Sequence, residues 1–115
     1  AKVSDEQAIE AMERFLSGLV DQVAFVGYNP WENTYEQSVN EISQPCSDLW
    51  RRMFVWWDGK VNPCDVDYKS RLCIGSALDV GLGELWQSSA YGRLRDLHQQ
   101  GGRSRLEPCS RCTVT

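Results

Sequence analysis

No run in the 115 residues approaches the roughly 20 consecutive apolar positions of a membrane-spanning helix, which excludes a helix of that kind. The opening Ala1-Lys2-Val3-Ser4-Asp5 lacks the apolar core of a secretory leader. There is no internal repeat and no low-complexity tract. Positive charge is scarce: 12 lysines and arginines face 16 acids, and the formal net charge of −4 argues against a general polyanion binder. Neither nucleic acid nor membrane is therefore expected as a partner. The rest, 42% hydrophobic and 24% charged residues, is globular composition and excludes disorder, collagen and a long coiled coil. A chain of this length has room for one domain and buries roughly two-thirds of its unfolded surface.

The cysteines do not come in the even number that a disulfide framework prefers. Five are present, Cys46, Cys64, Cys73, Cys109 and Cys112. Cys109 and Cys112 are separated by two residues, a spacing that lets two thiolates converge on one metal centre from a tight turn. A redox dithiol uses the same spacing but normally opens a helix after a strand, whereas this pair follows the Gly101-Gly102 break. The spacing by itself points first to a metal or cluster and leaves unbound thiols, a disulfide and a redox pair as the other readings.

Local chemistry organises the rest. Ser4 with Gln7 reads as a capping box, and Ala8, Met12, Phe15, Leu16 and Leu19 recur at helical spacing as far as about Val20. Val23-Ala24-Phe25-Val26, bounded by Gly27, reads as a buried strand. A helix followed by such a strand is one unit of a parallel sheet, too little to bury both faces of its strand. Residues 29–44 read as loop or short helix. Phe54-Val55-Trp56-Trp57, Asp58-Gly59 and Lys60-Val61 predict a hairpin, with both turn residues at positive φ, and Pro63 closes its second strand. Residues 65–80 lack a period. Leu82, Leu85 and Trp86, then Leu94 and Leu97, mark helical stretches with a break near Gly92, ended by Gly101-Gly102, and residues 103–115 read as irregular.

Taken together, Cys46, twelve residues, Gly59, four residues, Cys64, then forty-four residues before Cys109 and Cys112 resemble the opening of the cysteine signature of the SPASM domain. That domain is the auxiliary-cluster extension of many radical S-adenosylmethionine enzymes. The order of hairpin, helix and terminal cysteine pair is even more similar to its shortened form, the twitch domain. Val61-Asn62-Pro63-Cys64-Asp65 and Leu85-Trp86 through Leu94-Arg95 resemble phrases of the same proteins. The resemblance implies one auxiliary [4Fe–4S] cluster held by Cys46, Cys64, Cys109 and Cys112, with a role in electron transfer or substrate positioning. Full SPASM domains carry further cysteines and a second cluster, for which this chain has no match; Gly75-Ser76 stands where relatives often have glycine-asparagine. The three-cysteine motif of the cluster that cleaves S-adenosylmethionine is missing too, so no catalytic residue is assigned.

The resulting expectation is an α+β fragment. Residues 1–44 would be the end of a partial (β/α) barrel and its connection; residues 45–115 would be a hairpin-and-helix cluster domain. The implied partners are the barrel of the same longer enzyme, a reductant such as flavodoxin or ferredoxin, and a peptide or small-molecule substrate. S-adenosylmethionine belongs to the full enzyme only, and the compartment is cytoplasmic. The alternative is a structural zinc module for protein interaction, since four thiolates also suit tetrahedral zinc, which could occupy the site in protein produced in air. His98 reads as a surface residue at a helix end, Cys73 as a small buried apolar residue, and Asp65 with Asp67 as solvated loop. Trp56-Trp57 in one strand would put one ring on each face, as packing rather than as a base-stacking platform. Residues 1–48 carry nine acids and two bases, and Arg93, Arg95, Arg103 and Arg105 read as balancing them or contacting the barrel or a peptide.

Overall fold

The computed structural model describes residues 5–28 and 31–115. Its centre is a three-stranded antiparallel sheet, β1 (Phe54–Val55), β2 (Lys60–Asn62) and β3 (Gly75–Ser76), with β2 in the middle. Phe54 pairs with Asn62 and Val55 with Val61, and across β2 Val61 pairs with Gly75.

The hairpin forms where the Asp58-Gly59 signal lies, but its turn has three residues rather than two. Trp56 N–H donates to Lys60 O at 2.8 Å, and Gly59 N–H donates to Trp56 O at 2.9 Å. Only Gly59 takes positive φ, at 83°. The turn thereby confines the left-handed conformation to the one residue that adopts it without a Cβ clash. Trp57 consequently sits at the tip, 95% exposed, instead of lying in a strand with Trp56.

β3 falls in the stretch read as loop. Its Gly75 has no periodic signature; the residue is small because a Cβ there would come within 2.7 Å of Leu85 Cδ2. The loop between β2 and β3 is ordered by a carboxylate. Asp67, wholly buried, accepts from Arg71 N–H at 2.9 Å, from Leu72 N–H at 2.7 Å and from the Tyr35 hydroxyl. Asn62 ties the same loop to the sheet by donating to Asp67 O at 2.8 Å. The reading of Asp65 and Asp67 as solvated loop is corrected for Asp67, whose oxygens complete backbone hydrogen bonds that water cannot reach.

The helical stretch divides at Ser88, not at Gly92. α2 (Leu82–Trp86) ends, and α3 (Ser89–Gln99) begins on Ser88, whose Oγ accepts from Tyr91 N–H at 3.3 Å. The hydroxyl satisfies an orphan amide of the first turn, which outweighs the modest cost of Gly92 inside α3. Gly101, at φ 72°, ends α3, and a 3-10 turn (Gly102–Arg105) follows where irregular chain was expected. Leu49, Tyr91 and Leu94 form the central buried cluster, with Met53, Ile74, Trp86 and Leu106 packed around them. Arg95 belongs to this core rather than to a charge balance. Its guanidinium lies 4.3 Å from the Trp86 ring centre and 4.1 Å from that of Tyr91, and it donates to Leu49 O and Trp86 O.

At the other end, α1 (Glu6–Leu16) stops short of Val20. Asp5 Oδ1 accepts from Gln7 N–H at 3.1 Å, doing the work expected of Ser4, which lies outside the described residues. α1 buries none of its residues, leaving Phe15 72% exposed. Residues 23–26 form no strand, and Val26 is 88% exposed. Strand backbone needs a neighbour on which to spend its N–H and C=O groups, and none is adjacent among the described residues. The radius of gyration, 16.9 Å against about 13 Å for a compact domain of this length, reflects that unpacked arm. The short helix expected within 29–44 appears as a 3-10 segment (Trp31–Glu36). The fold is α+β.

Candidate metal centre

Three separate parts of the chain bring four cysteines to one cavity. Cys46 stands just before a 3-10 segment (Ser47–Trp50), Cys64 just after β2 and the buried Pro63, and Cys109 and Cys112 in the final turns. All four line that cavity, together with His98 and Arg103. The terminal pair is held by a tight backbone turn, in which Cys112 N–H donates to Pro108 O at 3.1 Å. Asn40 fastens it from outside, its amide nitrogens reaching Ser110 O at 2.9 Å and Cys112 O at 3.2 Å. All five cysteines are free thiols. Cys73 is not with the other four. It is exposed, not buried as expected, and its thiol donates to Gly75 O at 3.4 Å.

Burial governs the electrostatics of the site. Loss of water raises the thiols of Cys46 and Cys64 above their ordinary range and pushes Cys109 up to about 12, with repulsion among neighbouring thiolates adding to it. Without metal these sulfurs therefore stay protonated, and metal binding must release protons. Arg103 opposes the trend at Cys46 and Cys109.

Two residues that had been read as surface features are parts of the cavity wall. Arg103 is 1% exposed. Its Nε–H donates to Cys109 O at 3.1 Å, one terminal nitrogen to Gln44 O at 3.3 Å, and the other to Cys112 O. Among the described residues it has no carboxylate partner, so it does not balance the acidic first half. His98 is wholly buried; its Nδ1 accepts from Cys46 N–H at 3.3 Å. Burial, with Arg103 nearby, lowers its pKa to about 4 and keeps the imidazole neutral. The turn at Gly101 explains the difference from a surface histidine: it folds the end of α3 and the 3-10 turn after it onto the cysteine loops. No local pattern distinguishes either residue, because each has a partner more than fifty positions away.

The donor set can be tested against what it might hold. Thiolates are the soft ligands that iron–sulfur clusters and zinc both accept. One zinc requires four sulfurs at about 2.3 Å from a single point. Among the described residues no three cysteine, histidine or acidic side chains close around one point in that way. The four cysteines instead line one shared cavity, and such a thiol set could hold a polynuclear iron–sulfur group.

A family model for an iron-sulfur cluster-binding domain, SPASM, matches residues 46–113, starting on Cys46 and taking in Cys64, Cys109 and Cys112. The chain belongs to the SPASM family. No curated protein and no solved structure matches it. As a SPASM domain it is an iron–sulfur cluster-binding module, and the matched span contains the whole sheet, α2, α3 and every residue of the cavity wall named above. None of the helices among the described residues is long and apolar enough to cross a membrane.

Proposed function

We propose that Cys46, Cys64, Cys109 and Cys112 hold one [4Fe–4S] cluster, and that this SPASM domain is the auxiliary-cluster domain of a radical S-adenosylmethionine enzyme. The observation that carries this is the convergence of those four cysteines, and not Cys73, on one cavity inside the SPASM match. When bound, such a cluster supplies a one-electron relay. Four protein thiolates leave no iron free for substrate, so the residues of the site bind and insulate rather than ligate a reactant. Pro63, Val66 and Pro108 give the cavity an apolar lining, and Arg103 places positive charge beside an anionic group.

The exposure of Phe15 on α1 and of Leu19 just past it supports residues 1–44 as the end of a barrel, since among the described residues neither is buried. The strand expected at 23–26 would form only on neighbouring barrel strands. Expected partners are that barrel, a reductant such as flavodoxin or ferredoxin, and a peptide or small-molecule substrate, in the cytoplasm, where thiolates stay reduced. The electron role has a direct test. The cluster-loaded chain is mixed anaerobically with reduced flavodoxin and followed by electron paramagnetic resonance. A relay takes up one electron per cluster and returns it on reoxidation; a cluster that accepts none has a structural role, and the electron reading fails.

A further inference from the structure

His98 carries an unanswered hydrogen-bond donor into the cysteine cavity. Its Nδ1 accepts from the Cys46 amide at 3.3 Å, which requires a lone pair there. A neutral imidazole then bears its proton on Nε2. That nitrogen is buried and has no partner among the described residues. An orphaned buried N–H costs about 1–3 kcal/mol, and native folds rarely retain one without a use for it. No oxygen of the described residues comes within hydrogen-bonding distance of Nε2, whereas four cysteines line the same cavity as His98. The acceptors that the site can still supply are sulfurs, namely thiolates and the sulfides between them.

We infer that His98 Nε2–H donates a hydrogen bond to a sulfur of the bound cluster and thereby raises its reduction potential. The inference rests on the cluster-binding reading above. Hydrogen bonds to sulfur favour the reduced, more negative state, because they neutralise part of the charge that the added electron brings. The same ring fixes the backbone of Cys46, so one residue both positions a ligand loop and tunes the group it holds.

His98 is the one histidine of the chain, which makes isotope labelling specific to it. The chain is produced with 15N-histidine, loaded anaerobically with iron and sulfide, reduced, and examined by pulsed electron paramagnetic resonance. A resolved 15N coupling to the reduced cluster is expected, together with a proton coupling that disappears in D2O. Two variants separate the roles of the ring nitrogens. His98→Asn keeps an acceptor for Cys46 N–H but has no N–H in the place of Nε2; it should disfavour reduction about tenfold, about 59 mV for one electron. His98→Gln keeps an N–H there and should hold the native potential. A loaded cluster without 15N coupling overturns the inference and leaves the cluster reading intact, as does an unchanged potential in His98→Asn. A native chain that takes up no iron and sulfide overturns both.

Discussion

Changing any one of Cys46, Cys64, Cys109 or Cys112 to alanine is expected to take the chain from about four irons to below about one after anaerobic loading. Changing Cys73 to alanine should leave the loading as it is. The difference follows from position. The four cysteines line one cavity, and the buried thiols among them give up their protons only to a metal. Removing one sulfur would leave one iron without its thiolate, and Arg103, a donor only, cannot replace it. Cys73 lies outside the cavity and is exposed. Iron and sulfide analysis of the five variants checks this, and loss of the cluster from Cys73→Ala would contradict it.

Replacing Arg103 with methionine should destabilise the metal-free chain by about 3 kcal/mol. Methionine fills much of the volume but strands three carbonyl oxygens, those of Gln44, Cys109 and Cys112. Each buried acceptor left alone costs about 1–3 kcal/mol, and relief of a buried unpaired charge offsets part of the sum. Arg103→Lys keeps the charge, but a compact ammonium cannot reach three oxygens held at the spacing of a planar fork, so it recovers only part of the loss. Urea unfolding followed by tryptophan fluorescence gives the comparison. A native midpoint in Arg103→Met would mean that the guanidinium bridges nothing the fold depends on.

These two expectations also mark how far the sequence could be read. The cysteine set, the hairpin and the helices were legible because their signals are local or motif-borne: glycine at the turn, leucines at helical spacing, and cysteines in one order. The turn itself was one residue longer than Asp58-Gly59 suggested, since only glycine carries the left-handed φ cheaply. β3 was invisible, because Gly75 is chosen by the approach of Leu85 and not by any alternation. The strand at 23–26 was apolar enough to be read but has no partner strand among the described residues, and pairing rather than composition makes a strand.

The polar residues of the interior were the least legible. Arg95, Arg103, His98 and Asp67 all looked like surface chemistry, and each meets at least one partner from a distant segment. Arg103 meets Gln44 across 59 positions, and His98 meets Cys46 across 52. A buried charge or imidazole has no periodicity to betray it; its burial is a property of the partners. In a domain whose central buried cluster is as small as Leu49, Tyr91 and Leu94, those polar ties add to what a modest hydrophobic area supplies.

Metal and acid-labile sulfide analysis of the anaerobically loaded native chain, read beside its Mössbauer spectrum, bears most directly on the four-thiolate site. About four irons and four sulfides per chain, with the spectrum of a [4Fe–4S] centre, is the predicted result. One tightly held zinc with no stable cluster would contradict it and turn the same four sulfurs into a structural metal site.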